Sequence, residues 1–175
     1  FLKFASGALG TDSSGEGNNF TVSGTMTPTK DDAENNFCTM NPLDNYYPNV
    51  TLSNGNTTIV TPDSVLDDYA PLLSTVGMSS GKWYWEVKFT ATVGGMDTLI
   101  GISSTQTTDD GHELGQYAND WAYYSDGNSR NNDTNTSYGD SFVSGDIIGV
   151  ALDLTNSKLY FSKNGTWQNS GVPTS

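Results

Sequence analysis

The segment Lys82-Trp83-Tyr84-Trp85-Glu86-Val87-Lys88-Phe89 alternates strictly, with Trp83, Trp85, Val87 and Phe89 on one side and Lys82, Tyr84, Glu86 and Lys88 on the other. A period of two is what a strand with one buried face requires; a helix would scatter these side chains around its circumference. A half-buried strand needs a facing layer, so this one segment already demands a sheet packed against a second element. Further strand candidates are Leu99-Ile100-Gly101-Ile102, Trp121-Ala122-Tyr123-Tyr124, Ile147 to Leu154, and Lys158-Leu159-Tyr160-Phe161, each bounded by turn residues. Asn54-Gly55 and Asn164-Gly165 fall between such segments, and Asn-Gly best tolerates the two positive φ angles of a type I′ hairpin. Thr, Ser, Asn and Gly make up 78 of the 175 residues, a bias toward strands and tight turns. The pattern predicts an all-β antiparallel sandwich. The best helix candidate, Asp63 to Leu73, is limited to a turn or two by Pro71.

A chain of this length is expected to form one domain with a proper core. Residues 1–48 show only fragments of alternation, with Phe4, Leu9, Phe20, Val22, Phe37, Met40 and Leu43 as apolar anchors. They are read as an irregular segment with edge strands, packed onto a sandwich that spans 49–175. Two polar stretches, Ser103 to Asn119 and Ser125 to Ser141, interrupt the short-loop pattern. Connections that long are where a binding surface is expected.

Charge narrows the partners. Twenty acidic residues against seven basic ones leave a net charge of −13, which repels nucleic acid instead of drawing on counterion release. No apolar run approaches the length of a membrane span, so membrane insertion is not expected. Cys38 is the sole cysteine; it closes no internal disulfide and, beside Phe37 and Met40, is expected to behave as a small buried hydrophobe.

Catalytic constellations are sparse. His112 is the only histidine; no second ligand completes a zinc site around it, and it is expected to be an exposed loop residue. A glycosidase would need paired carboxylic acids across a cleft, whereas Glu86 stands alone on its strand and Glu16, Glu34 and Glu113 fall in loop-like segments. The chain is therefore expected to be non-enzymatic and to need no cofactor. Calcium is the one ion whose hard-oxygen chemistry fits the loops, with Asp109, Asp110, Asp126 and Asp133 as candidates, and a further acidic turn from Asp12 to Glu16. Each also reads as a solvated turn, and none has EF-hand spacing. Trp83 and Trp85 lie on the most apolar strand face and are expected in the core. Tyr117, Trp121, Tyr124, Arg130 and Tyr138 are the candidate binding residues, because Tyr, Trp and Arg are enriched where proteins meet partners. Arg130 also invites an ion pair with the surrounding acids.

Ser80-Gly81-Lys82-Trp83-Tyr84-Trp85-Glu86-Val87 resembles the opening signature of SPRY domains. Gly101-Ile102-Ser103 resembles their next core strand, and Gly145 to Leu154 followed by Leu159 to Gly165 resembles their most diagnostic segment. The resemblance implies a concanavalin-like jelly-roll sandwich, non-enzymatic in most members, that binds partners through loops at one end. It also implies closing strands beyond the point reached at Ser175. Upstream, Leu2 to Gly7, Gly15 to Thr21, Asn35 to Asp44 and Leu52 to Asn56 resemble stretches that precede SPRY domains in structural proteins of tailed phages, especially marine ones. That second resemblance implies a tail-fibre-like virion protein at the particle surface, partnered by other virion proteins or by a host-surface glycan or protein. A homo-oligomer follows only by analogy with fibres, since no coiled-coil pattern is present. The competing expectation is a polysaccharide-degrading enzyme of the concanavalin-like superfamily.

Overall fold

The computed structural model describes residues 2–3, 7–26, 37–45, 50–61, 72–90, 98–104 and 112–173. Among the described residues, twelve strands are formed: β1 (Met40–Asn45), β2 (Thr51–Ser53), β3 (Thr58–Val60), β4 (Leu72–Ser74), β5 (Lys82–Lys88), β6 (Leu99–Ser103), β7 (Asp120–Tyr124), β8 (Asn128–Asn131), β9 (Thr134–Ser137), β10 (Ile147–Asp153), β11 (Lys158–Lys163) and β12 (Thr166–Trp167). No α-helix occurs among the described residues. The expected helix at Asp63 to Leu73 lies outside them except for Leu72 and Leu73, which are strand.

Two four-stranded antiparallel sheets make the sandwich, in the orders β12-β11-β10-β5 and β6-β7-β8-β9. In the first, Val150 stands opposite both Trp85 and Phe161, and Ile148 opposite Val87. The alternation seen in the sequence thus becomes one continuous apolar face. In the second, Ile100 pairs with Tyr123. Ile100, Tyr123, Phe142, Ile148, Val150 and Phe161 form one buried cluster, and Trp85, Val87, Phe89, Tyr138 and Leu159 pack against it. Tyr123 joins the layers, its ring centroid 5.4 Å from that of Phe161 and 5.3 Å from that of Phe142. This is the antiparallel sandwich that the alternation predicted, and it agrees with the concanavalin-like fold that the resemblance implies.

Both Asn-Gly pairs take positive φ, 53° and 65° at Asn54-Gly55 and 49° and 81° at Asn164-Gly165; the second closes the expected two-residue turn, whereas the first opens a four-residue one with Asn56 also at 60°. The stretch from Ser125 to Ser141 departs from expectation: it is mostly the β8–β9 hairpin, closed at Asn132-Asp133 with φ of 50° and 57°. Asn and Asp enter the left-handed region at small cost because their short polar side chains bond locally, so this pair does the work of Asn-Gly.

Trp83 also departs from expectation. It pairs with Leu152 on the core-facing side of β5, yet it is 42% exposed, while its indole N–H donates to the Ser80 carbonyl.

On the N-terminal side, an isolated bridge joins Leu2 to Asp12. The Asp12 carboxylate accepts from the Ser14 N–H and hydroxyl and from the Asn18 N–H, so the acidic turn there is closed by its own carboxylate. β1 pairs with β4, which ties the expected N-terminal segment to chain beyond residue 49. Cys38, just before β1, is exposed, as is Phe37 at 48%. The burial expected of this cysteine is therefore corrected: its apolar neighbours in sequence do not enclose it. Cys38 is expected to react with a thiol reagent in the native protein at close to the rate of the unfolded chain; a native rate a hundredfold slower would contradict its exposure.

Asp153 ends β10 and is 3% exposed. Its carboxyl is lowered from 3.8 to about 2, chiefly by the Asn156 side-chain amide and further by Lys82, with burial opposing. A depressed carboxylate stabilises the fold above its unfolded pKa, and that contribution fades as pH falls through the folded value. Stability is therefore expected to decline between about pH 4 and about pH 2. Asp153→Asn should flatten this acid limb in urea titrations across that range, and an unchanged slope would discard the assignment.

Candidate binding surface

Phe142 fixes the polarity of the sandwich, because its ring meets those of Phe89 and Tyr123 and its N–H donates to the Ser125 carbonyl. Residue numbers rise toward that end along both β5 and β7. Trp83 and Trp121, each two residues before the Trp85–Tyr123 layer, therefore share the opposite end. Both are on the core-facing side of their strands, yet they are 42% and 44% exposed. The facing layers leave this mouth of the sandwich open to solvent, and the β8–β9 turn and the 154–157 turn border it.

The segment 112–119 folds over the outer face of the second sheet at the same end. Asp120 organises it from the first position of β7. Its carboxylate, 0% exposed, accepts from the Ser103 hydroxyl at 2.6 Å and from the Tyr117 N–H at 3.3 Å, and it meets His112 Nε2 at 2.7 Å. Glu113 meets the Arg130 guanidinium at 2.6 Å. Gly115, at φ +92°, lies so close that an added Cβ would stand 2.8 Å from Arg130 Cγ, so only glycine lets the segment settle there. The Asp133 N–H then donates to the Gly115 carbonyl and the Asn132 N–H to that of Tyr117. His112, expected in an exposed loop, is 3% exposed. Its burial is explained by Asp120, which supplies the polar partner that a buried imidazole requires. The order Ser103, Asp120, His112 places the acid between hydroxyl and imidazole. Nucleophile activation requires the imidazole in the middle, so this network serves to hold the segment.

The candidate residues separate clearly. Tyr117, 44% exposed, tilts over the His112 ring at 4.7 Å, and its backbone is bonded to Asp120 and Asn132 at the end of the sheet where β7 begins. Tyr124 is half-buried at the far end of β7, opposite Leu99. Arg130 is mostly enclosed and makes the ion pairs its acidic surroundings invited: its side chain is 15% exposed and is held by Glu113 and by Asp133 at 2.7 Å. Tyr138 is partly buried against the core. Its ring packs against Tyr123 and Phe161, its hydroxyl accepts from the Phe161 N–H, and burial raises its pKa. Of the calcium candidates, Asp126 closes a turn by accepting from the N–H and side-chain amide of Asn128, Asp133 pairs with Arg130, and Asp109 and Asp110 lie outside the described residues. Among the described residues, no three His, Cys, Asp or Glu side chains gather as a metal site. Sequence reasoning missed Asp120 and His112, and it assigned Trp83 to the core.

The SPRY domain family model matches residues 82–174, which cover β5 to β12. SPRY domain-containing SOCS box protein 3 of Xenopus tropicalis is 30% identical over 93 residues, covering 50% of this chain and 26% of the relative. ATP-dependent RNA helicase Ddx1 of Drosophila melanogaster is 34% identical over 125 residues, covering 67% of this chain and 16% of the relative. The chain thus spans about a quarter or less of the length of these curated relatives. With the match covering more than half of its residues and all eight strands of the two sandwich sheets, the chain belongs to the SPRY domain family.

Proposed function

We propose that this chain is a non-enzymatic protein-binding module that takes its partner at the open mouth of the sandwich. The observation that carries this reading is the exposure of two core-facing tryptophans, Trp83 and Trp121, at one end of the sandwich, where the backbone of exposed Tyr117 is bonded to Asp120. Large aromatic anchors on a rigid support are the usual centre of a protein interface, and the Asp120 network supplies the support. SPRY membership points the same way, toward partner binding. The helicase activity in the name of Ddx1 belongs to a protein of which this chain covers 16%, and a net charge of −13 opposes an RNA partner. The polysaccharide-degrading alternative gains no support. Glu113 is bound to Arg130, Asp120 to Ser103 and His112, and Asp153 to Lys82 and Asn156, while Glu86 accepts from Tyr84 on the outer face.

The setting we propose is a tailed-phage appendage at the virion surface, with a virion protein or a host-surface protein or glycan as partner. The upstream motifs carry that setting, and the frog and fly relatives add nothing to it. Immunogold labelling of phage particles with antibody against this chain tests it: decoration of the appendages is expected, and bare particles would remove the setting.

Binding itself is tested by placing a photo-crosslinking residue at Tyr117 and comparing Trp121→Ala with wild type. Trp121→Ala is expected to weaken partner capture by tenfold or more, the effect of losing about 1.4 kcal/mol, while the melting temperature moves by only a few degrees. Undiminished capture would move the binding surface elsewhere.

A further inference from the structure

The outer face of the β12-β11-β10-β5 sheet is unlike the rest of this acidic chain. Strand alternation turns Lys82, Tyr84, Glu86 and Lys88 outward from β5, and Lys158, Tyr160 and Ser162 outward from β11. Three of the seven basic residues thus stand on one face. In the middle lies an aromatic row: Tyr84, 56% exposed, meets the edge of half-buried Trp167 at 6.3 Å, with Tyr160 half-buried beside them. Gly149 forms the floor, where an added Cβ would meet the Tyr84 hydroxyl at 2.7 Å. Both acids of the face are engaged. Glu86 accepts from the Tyr84 hydroxyl at 2.6 Å, and Asp153 holds Lys82 at 3.1 Å. Lys88 and Lys158 are exposed and, among the described residues, make no ion pair.

The spacing of those two lysines defines what fits between them. Lys88 stands opposite Ile147 and Lys158 opposite Asp153, the two ends of β10. They lie six residue steps apart along the strands, roughly 20 Å, and two strands apart across the sheet, roughly 10 Å. We propose that this face binds an extended acidic peptide segment of a partner protein. Its carboxylates would meet Lys88 and Lys158, and an apolar side chain between them would lie on Tyr84 and Trp167. Charge complementarity selects this occupant, because the remainder of the chain is strongly negative and repels an anionic partner everywhere else. A short peptide carries too few charges to be excluded by that field, whereas a nucleic acid or an anionic membrane is repelled by it. The surface is separate from the mouth with Trp121 and Tyr117, and it stands or falls independently of it.

The test uses the full chain and a fluorescein-labelled octapeptide, Asp-Asp-Gly-Leu-Leu-Gly-Asp-Asp, followed by anisotropy at low salt. Saturable binding is expected, weakened about tenfold or more by the double change Lys88→Glu with Lys158→Glu, and also by Tyr84→Ala. Raising the salt to about 0.5 M should weaken it as well. Trp121→Ala should leave it unchanged, and all variants should melt near wild type, since these side chains are on the surface. No saturation below about 1 mM, equal binding by the lysine variant, or equal binding of the peptide with Lys replacing each Asp would overturn the proposal. So would a single-stranded DNA oligonucleotide that binds with the same lysine dependence.

Discussion

Tyr123→Ala is expected to lower the unfolding free energy by about 3–5 kcal/mol, the range for deleting a large buried aromatic side chain. The residue is 0% exposed, and its ring lies against those of Tyr138, Phe142 and Phe161 at 5.4, 5.3 and 5.4 Å. Phe161 comes from the facing sheet and Tyr138 and Phe142 from the connection between β9 and β10, so the cavity would open where the two sheets meet. The hydroxyl donates to the Asp140 carbonyl, and burial, assisted by the Asp140 charge, pushes its pKa up to about 12. Tyr123→Phe separates the two contributions. It keeps the ring, strands one carbonyl, and should cost about 1 kcal/mol. Urea unfolding of both variants provides the measurement. A Tyr123→Ala cost below 1 kcal/mol would mean that the sheets do not share this core.

The parts of the fold that were legible in the sequence are those where one physical signal dominates. β5, β10 and β11 alternate because one face is buried, and period two survives in the residue types themselves. β8 and β9 were invisible for the opposite reason. Thr134 to Ser137 are all exposed, so nothing apolar marks the period, and the hairpin is held by backbone pairing around a turn that lacks glycine. Trp83 shows a different limit: alternation tells which face a residue takes but not how far the opposing layer reaches. The Asp120 network was illegible because its members are 17 and 8 residues apart from Asp120, and no local pattern links Ser103 or His112 to it. For Arg130 the sequence allows both a surface site and an ion pair, and Glu113 reaches it through a turn that only Gly115 can make. Of the candidate site, then, Tyr117 and Trp121 were readable as aromatics bordering a long polar stretch. The link between them was not, because it runs through the Asp120 carboxylate, which holds the Tyr117 N–H at the start of β7.

Asp120→Ala is expected to destabilise the fold by about 3–5 kcal/mol, comparable to the aromatic deletion but by another mechanism. Removing a fully buried carboxylate creates only a small void. The cost comes from what it leaves behind: the Ser103 hydroxyl, the His112 ring nitrogen and the Tyr117 N–H lose an acceptor in a site that water does not reach. Each buried polar group so stranded costs on the order of 1–3 kcal/mol. Asp120→Asn keeps the shape and one acceptor oxygen but presents an N–H₂ where a second donor already points, so an intermediate loss is expected. Because residues 112–119 hang on this carboxylate, the loss should be local before it is global. Hydrogen exchange at Tyr117, whose N–H donates to Asp120, should accelerate in Asp120→Asn more than exchange at Val150 in the core. Since Asp120 directly precedes Trp121 and holds the Tyr117 N–H, partner capture should fall in this variant at temperatures where the sandwich is still folded. Uniform acceleration across Tyr117 and Val150, or capture equal to wild type, would show that the network does not position the binding surface.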